Sequence, residues 1–253
     1  MKALLLGAGY ATRLYPLTRE RPKPLLPIGG VAILERICRQ IFQAPGVDRI
    51  YVVTNHRFAG HYYRWLSEFQ ESKKPPVPIE IFDDLTMSPD DRLGAIGDID
   101  FVIKHAGVDD DLLVVAGDNL FEFPLKSFTA FAKKKKSSAV CVKDLGDRKL
   151  ASLYGVVEMD KKGRIVDFEE KPPAPKSTLI AIGVYYFQKE HLALFRQYLE
   201  EGQSRDAPGY FIQWLHPRVE LYAHPVKGAW YDIGDIDSYT KANDLYLQQG
   251  KRP

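Results

Sequence analysis

The sequence contains few cysteines and no long hydrophobic run, and both shortages narrow the classes of protein to which it can belong. Its 253 residues include two cysteines, Cys38 and Cys141, which stand in apolar segments without the spacing of a metal site. Buried, reduced thiols of this kind are typical of cytosolic proteins. No apolar stretch approaches the ~20 residues that span a bilayer, and the start, Met1–Leu6, is too short for the apolar part of a signal peptide. We therefore expect a cytoplasmic protein with no membrane partner.

The sequence also lacks an excess of charge of either sign. It has 35 Lys and Arg against 33 Asp and Glu, which gives a formal net charge of +2. Because nucleic-acid-binding domains usually carry a clear basic excess, we expect no nucleic-acid partner. The basic run Lys133–Lys136 falls at the end of a predicted helix, where cations suit the helix dipole.

The first part of the chain alternates between short apolar runs and segments with helical periodicity. The predicted strands are Ala3–Leu6, Ile50–Thr54, Ile79–Phe82, Leu112–Ala116 and Ala139–Lys143. The predicted helices are Val31–Ala44, Phe58–Glu71, Leu93–His105 and Phe121–Lys136. This alternation predicts βαβ units and an α/β fold with a mostly parallel central sheet flanked by helices.

The second part has a different pattern. Tyr154–Met159 and Arg164–Glu169 flank a turn at Asp160–Gly163 and predict a β-hairpin, and Leu179–Phe187 predicts a long strand. Two helices are predicted at Glu190–Glu201 and Ile236–Gln248. We expect this part to add antiparallel strands that form one wall of a cleft.

The first strand leads into a loop of small residues, Gly7–Leu14. In an open α/β sheet, ligands bind beyond the carboxyl ends of the strands, and small residues let backbone N–H groups approach a phosphate closely. The loop is not a dinucleotide-binding fingerprint, because Thr12 stands at the third glycine position and prolines soon follow. It is not a P-loop either, because no Gly-Lys-Ser/Thr occurs. A glycine loop alone is equally consistent with a tight turn.

Two cations, Arg13 and Lys23, follow this loop, and prolines constrain the segment between them. Phosphoryl transfer requires cations directed at the α-phosphate and at the leaving pyrophosphate. An arginine fork and a lysine point charge are well suited to that task. Alone, these two residues would be read as ordinary surface cations.

The motifs together resemble those of the sugar-1-phosphate nucleotidyltransferases, which include glucose-1-phosphate thymidylyl-, uridylyl- and cytidylyltransferases. The most specific motif is Gly7–Thr18 followed by Pro22–Ile28. Shorter matches follow in order at Gly117–Asn119, Tyr154–Val157, Glu169–Pro172, Ile182–Tyr185 and Trp230–Gly234, so that the resemblance covers nearly the whole chain. It implies a Rossmann-like (GT-A-like) fold over residues 1–253, with a nucleotide-binding part at 1–150 and a sugar-phosphate-binding part at 151–253.

The resemblance also implies roles for individual residues. Arg13, Lys23 and Asp118 would be catalytic, and Asp118 and Asp232 would bind Mg²⁺. The nucleotide would contact Leu6, Gly7, Ala8, Gly9, Thr12, Arg13, Lys23, Asp84 and Gly94. The sugar phosphate would contact Asn119, Gly155, Glu170, Lys171 and Gly183.

The implied reaction is direct transfer between two small-molecule partners, an NTP and a sugar 1-phosphate. A sugar-phosphate oxygen would attack the α-phosphorus in line, and pyrophosphate would leave without a covalent enzyme intermediate. Mg²⁺ is held by one or two carboxylates and completes its shell with water and phosphate oxygens, which suits two aspartates beside glycine-containing turns. A homo-oligomer is compatible with the sequence. We expect a single activity, because no β-helix acyltransferase follows residue 253.

The sequence departs from the family pattern at one residue and in two segments. Ala11 replaces a frequent glycine, and we expect a less demanding backbone there. A Gln-Pro segment that helps thymidylyltransferases to read the base is replaced by the segment around Asp84, where a carboxylate could accept from an exocyclic amine and so favour CTP over dTTP. The segment Arg205–Phe211 lacks the glutamate-rich motif that thymidylyltransferases use on the sugar side.

Two alternatives remain open. A cytidylyltransferase for a non-sugar phosphate such as phosphocholine would share the loop and the aspartates, and Tyr185, Tyr186, Tyr210 and Trp214 could supply an aromatic cage for its quaternary ammonium. A non-catalytic regulatory subunit that binds sugar nucleotide would typically have lost Arg13, Lys23, Asp118 or Asp232, and this chain has all four.

Overall fold

The computed structural model describes residues 1–249, and residues 250–253 of the predicted domain lie outside the described residues. The strands are β1 Lys2–Leu6, β2 Pro27–Ile28, β3 Val31–Ala32, β4 Arg49–Thr54, β5 Ile79–Asp83, β6 Leu112–Ala116, β7 Asn119–Phe121, β8 Ala139–Asp144, β9 Gly155–Met159, β10 Ile165–Glu170, β11 Leu179–Phe187, β12 Tyr222–Pro225 and β13 Trp230–Asp232. The α-helices are α1 Ile33–Phe42, α2 His56–Lys73, α3 Gly94–His105, α4 Leu125–Lys135, α5 Arg148–Ala151, α6 Ala193–Glu200, α7 Pro208–Leu215 and α8 Ile236–Gln249. One-turn 3₁₀ helices lie at Thr12–Leu14, Lys23–Leu25 and Lys189–His191.

The central sheet combines a parallel part with an antiparallel part. Strands β6, β1, β4 and β5 pair in parallel in that order. Strand β11 runs antiparallel to β6, β8 and β9, and β9 and β10 form the predicted hairpin. Strand β12 extends the sheet beyond β8 in parallel. The predicted fold class, an α/β sheet with an antiparallel addition, is confirmed.

Each face of the sheet carries its own apolar core. Strand β1 lies in the middle, and its alternation directs Leu5 into a core with α1, α2 and α4 and Leu4 into a core with α3, α6 and α7. Both leucines are fully buried. Because helices cover both faces, the parallel strands are apolar on both sides, which explains continuous runs such as Leu112–Val115.

The periodic helices match their predictions to within a few residues. On α1 the residues Ile33, Leu34, Ile37, Cys38 and Ile41 are buried, as the apolar stripe predicts. Helix α2 begins earlier than predicted, at His56, because Asn55 caps it by accepting from the Phe58 N–H at 3.0 Å. Cys38 and Cys141 are free and buried, as expected.

The short elements were not predicted. The helix expected from Phe121 begins at Leu125 instead, after Pro124, and residues Asn119–Phe121 form β7. Helix α7 begins at Pro208, in a segment that was not predicted to be helical, and proline suits the first helical turn because its missing N–H is not needed there. Among residues 1–249, no helix is both long enough and apolar enough to cross a membrane.

Candidate active site

The glycine loop after β1 is held from below by two side chains of neighbouring elements. The Tyr62 hydroxyl donates to the Gly7 carbonyl at 2.9 Å, and the Asn55 amide donates to the Ala8 carbonyl at 2.8 Å. A side chain at Gly7 would press on the Tyr62 hydroxyl and the Val53 carbonyl, so the close approach requires glycine. Gly9 is exposed, and a Cβ at that position would meet nothing within 4 Å. The loop backbone is therefore fixed at Gly7 and Ala8, whereas Gly9 is open to solvent.

The turn that follows the loop places Ala11 in the left-handed region, with φ of 47°. Its carbonyl accepts from the Thr18 hydroxyl at 2.8 Å and from the Leu14 N–H at 3.0 Å. The expectation that alanine reflects a less demanding backbone is wrong, because this conformation favours glycine. Thr12 and Arg13 follow in a 3₁₀ turn and are exposed.

Lys23 reaches the centre of the site. Its ammonium lies 2.9 Å from Asp118 Oδ2 and donates to the Ile233 carbonyl at 2.5 Å. The lysine side chain is 12% exposed. Pro22 and Pro24 flank it in sequence and constrain the backbone that presents it.

Of the two predicted metal ligands, Asp118 directly precedes β7 and Asp232 ends β13, and these two strands pair with each other. Asn119 lies opposite Asp232 in this two-stranded sheet, and the Ile233 N–H donates to the Asp118 carbonyl at 3.2 Å. Burial, and then the negative charge of Asp118, raise the pKa of the Asp232 carboxyl above its usual range. The Tyr154 hydroxyl donates to Asp232 Oδ2 at 3.3 Å. Two residues 114 positions apart in sequence are thus brought together by a strand pair that the sequence did not predict.

These carboxylates open onto a cavity of about 520 Å³. Its lining includes Arg13, Asp118 and Asp232 together with every residue predicted for the sugar phosphate, namely Asn119, Gly155, Glu170, Lys171 and Gly183. The same cavity is also lined by Tyr154, Gly209 and Trp230, which were not predicted as site residues, and by Tyr185, which was considered only for a choline cage. Tyr154 and Trp230 stand in two of the motifs quoted above, so their position in the motifs was the available signal.

Asn119 is fixed at both ends of its amide. It donates to the Ile182 carbonyl at 2.8 Å and accepts from the Trp230 indole at 3.2 Å. Gly183 has φ of 69°, and a side chain there would overlap the Asn119 amide. The amide therefore faces the cavity in a single orientation.

The Glu170 carboxylate lies between two glycines, Gly155 and Gly209. A Cβ at Gly155 would lie 2.7 Å from Glu170 Oε2, and a Cβ at Gly209 would overlap the same oxygen. Burial raises the pKa of the Glu170 carboxyl, and the charge of Lys171 opposes that rise. The Gln213 amide accepts from the Glu170 N–H at 2.8 Å and ties α7 to this wall.

Of the predicted nucleotide set, Arg13 lines this cavity, whereas the other members, including Asp84 and Gly94, are not among its lining residues. Asp84 is buried, and its Oδ1 accepts from both the N–H and the hydroxyl of Thr86 at 2.7 Å. Burial raises the pKa of the Asp84 carboxyl, and hydrogen bonding by Thr86 and Asp98 opposes that rise. An exocyclic amine would have to compete with these partners, and the preference for CTP stays a prediction. Gly94, with φ of 76°, packs against the Arg205 carbonyl.

The four aromatic residues considered for a choline cage do not converge. Tyr186 bonds to Asp111, and the Trp214 indole donates to Glu201 at 2.7 Å. Of the four, Tyr185 lines the cavity. Tyr185 and Tyr186 belong to the two different cores, because neighbouring residues of a strand point to opposite faces.

The donor set suits a hard cation such as Mg²⁺, because both candidate ligands are carboxylates. Within residues 1–249, no group of three or more His, Cys, Asp or Glu side chains is arranged to hold a metal. Two carboxylates, Asp118 and Asp232, are what Mg²⁺ takes from a protein when phosphates and water supply its other ligands.

Comparison with known proteins finds relatives that are similar to this chain along almost its whole length. Residues 2–249 match the nucleotidyl transferase family model. The chain is 31% identical over 98% of its length to the bifunctional protein GlmU of Methanocaldococcus jannaschii, and 29% identical over 96% to a UTP–glucose-1-phosphate uridylyltransferase of Synechocystis. It is 29% identical over 98% to a glucose-1-phosphate adenylyltransferase of Desulforamulus reducens. The chain spans 55%, 62% and 65% of these proteins, respectively.

Solved structures share the fold at lower sequence identity. A UDP-glucose pyrophosphorylase in complex with UDP-glucose superposes with a TM-score of 0.82 at 23% identity, covering 98% of both chains. A glucose-1-phosphate thymidylyltransferase of Bacillus anthracis gives 0.76 at 23% identity and covers 98% of this chain and 95% of its own. These structures share the fold, and the family match over residues 2–249 confirms the resemblance drawn from the motifs: this chain belongs to the nucleotidyl transferase family.

Proposed function

We propose that this protein transfers a nucleotidyl group from an NTP to a sugar 1-phosphate, with release of pyrophosphate and with Mg²⁺ as the cofactor. One observation carries the proposal: a single cavity is lined by Arg13, Asp118 and Asp232 together with all the predicted sugar-phosphate residues. A phosphate acceptor and a triphosphate donor would therefore meet between cations and a pair of carboxylates.

The residues divide into those that stabilise charge and those that orient the acceptor. Arg13 would hold the triphosphate, and Lys23, already beside Asp118, would offset the charge that develops on the phosphates. Asp118 and Asp232 would hold Mg²⁺, which would neutralise phosphate charge when bound. Lys171 would hold the phosphate of the sugar 1-phosphate, while Asn119 and Glu170 would bond to sugar hydroxyls.

In the proposed reaction, an oxygen of the sugar phosphate forms a bond to the α-phosphorus of the NTP. The bond from that phosphorus to the bridging oxygen of the pyrophosphate breaks, and the leaving group takes the electron pair. The acceptor oxygen is already ionised at neutral pH, so the reaction needs no protein nucleophile. Holding the two substrates in line accounts for much of the expected acceleration.

The test is pyrophosphate release with Mg²⁺, crossing ATP, GTP, CTP, UTP and dTTP with glucose, galactose, mannose and N-acetylglucosamine 1-phosphates and with phosphocholine. The named relatives use different nucleotides, so the whole panel is needed. Turnover with a sugar 1-phosphate is expected. Turnover with phosphocholine alone would contradict the proposal.

Asp118→Asn should reduce that turnover by on the order of 10²-fold or more, because it removes a charge that holds the metal and pairs with Lys23. Asp109→Asn is the matched control, since Asp109 is 82% exposed and precedes β6, whereas Asp118 follows the other end of that strand. Equal activity of both variants would contradict the assignment. Silence of the folded wild type across the panel, with NTP still bound, would favour the regulatory-subunit alternative.

A further inference from the structure

Each of the two carboxylates at the base of the cavity has its own side-chain partner. Asp118 Oδ2 lies 2.9 Å from the Lys23 ammonium, and Asp232 Oδ2 accepts from the Tyr154 hydroxyl at 3.3 Å. The two partners differ in kind, because the lysine adds a positive charge whereas the phenol adds a directed hydrogen bond. The residue roles proposed above for the reaction do not explain the hydrogen bond from Tyr154 to Asp232.

The Tyr154 side chain is held in position by its surroundings. Its backbone N–H donates to the Ala151 carbonyl at 3.0 Å, and its own carbonyl accepts from the Lys171 N–H at 3.0 Å. Its ring packs edge-on against the Trp230 indole, with centroids 5.5 Å apart and an interplanar angle of 71°. The hydroxyl is therefore presented to Asp232 from an ordered turn and a packed ring.

The packing also connects the phenol to the other residues of the site. Trp230 donates to Asn119 at 3.2 Å, and Asn119 pairs with Asp232 across β7 and β13. Because one carboxylate oxygen of Asp232 is bound by Tyr154, rotation of the carboxylate is restricted and its second oxygen has a defined direction. A ligand oxygen oriented by such a partner binds a metal more tightly than one that rotates freely.

We propose that Tyr154 is a positioning residue for the metal site, which orients the Asp232 carboxylate for a divalent cation. The inference rests on the proposed function, since it assumes that Asp118 and Asp232 hold the cation. Tyr154 acts through Asp232 and does not replace any ligand. Its role should therefore appear first in metal affinity and only afterwards in turnover.

The experiment is a titration of the full-length protein with Mn²⁺ alone, in which free Mn²⁺ is followed by electron paramagnetic resonance. Tyr154→Phe should weaken Mn²⁺ binding about tenfold, as loss of a partner that orients a metal ligand typically does. Tyr231→Phe is the matched control, because Tyr231 precedes Asp232 on β13, and its ring faces Tyr246 at 6.4 Å. It should bind Mn²⁺ like the wild type. Asp232→Asn should lose most of the binding.

The outcomes separate the inference from the function on which it rests. If Asp232→Asn loses Mn²⁺ while Tyr154→Phe matches the wild type, the positioning role is overturned and the metal site stands. If neither Asp118→Asn nor Asp232→Asn changes the titration, or the wild type binds no Mn²⁺ up to millimolar concentration, the metal site itself is overturned.

A second readout guards against a purely structural effect. The Mg²⁺ concentration for half-maximal pyrophosphate release should rise in Tyr154→Phe, with much of the turnover restored at high Mg²⁺. A turnover defect that persists at every Mg²⁺ concentration, with Mn²⁺ affinity unchanged, would overturn the positioning role.

Discussion

At the scale of single residues, the site depends on backbone geometry as much as on charge. Ala11 adopts φ of 47° in the turn that presents Thr12 and Arg13. An L-residue in this conformation costs about 1–2 kcal/mol because its Cβ crowds the following carbonyl. Strain of this size persists because Thr18 and Leu14 both bond to the Ala11 carbonyl.

Ala11→Gly should therefore stabilise the protein by up to about 1 kcal/mol, the relief of strain less the entropy that glycine loses on folding. Urea unfolding measures the change. Ala8→Gly is the control, because Ala8 lies in the same loop without a positive φ, and the change there should cost about 0.5–1 kcal/mol. Equal destabilisation of both variants would show that the left-handed turn carries no strain.

At the scale of elements, the long strands and helices could be predicted from periodicity and the short ones could not. Strand β11 matches its predicted bounds, Leu179–Phe187, because nine residues carry a clear apolar signal. Strands β7 and β13 have three residues each, too few for any period, and yet they bring Asp118 and Asp232 together. The motifs therefore singled out residues that line one cavity, while the strand pairing that brings them together came from tertiary structure.

Helix α3 carries a buried carboxyl group, Asp98, that the sequence analysis did not single out. Asp98 is 5% exposed, and its Oδ1 has no hydrogen-bond partner among the described residues. Burial, and then the charge of Asp84, raise the pKa of the Asp98 carboxyl well above its usual range. The folded protein therefore holds a proton that the unfolded chain releases near pH 4.

Because the folded state binds the extra proton, the free energy of unfolding should fall as the pH rises from about 4 toward the folded pKa of Asp98. Asp98→Asn should remove this slope, since its amide stays neutral and can still donate to Asp84. The free energy of unfolding of Asp98→Asn, relative to that of the wild type, should therefore increase as the pH rises. Urea unfolding between pH 4 and 8 measures this, with Asp90→Asn as an exposed control from the preceding loop. A constant difference between Asp98→Asn and the wild type at every pH would contradict the protonated Asp98.

At the scale of the whole molecule, the sheet joins both parts of the chain to one site. The cavity takes residues from the loop after β1, from β6 and β7, from β9 to β11, from α7 and from β13. The proposed division at residue 150 stays a prediction. It separates Asp118 from Asp232, so neither part alone would hold both metal ligands.

Strand β1 should be the most sensitive element for the stability of the whole molecule, because it is paired on both edges and covered on both faces. Leu5→Ala should lower the free energy of unfolding by about 2–5 kcal/mol through lost burial and the cavity left behind. Leu150→Ala, at a leucine that is 50% exposed, should change it by about 0.5 kcal/mol or less. If urea unfolding showed the same loss of unfolding free energy for Leu5→Ala and Leu150→Ala, the two-core description would be contradicted.

The pairing of β7 with β13 has a consequence for the protein during its synthesis. Asp118 emerges from the ribosome long before Asp232, because β13 follows β7 at a separation of more than a hundred residues. A nascent chain that has already folded its parallel strands would still have half of its candidate metal site. Interrupted translation products that end before β13 would therefore be folded in part yet unable to bind the cation through both aspartates, and activity would arise only after β13 has been made.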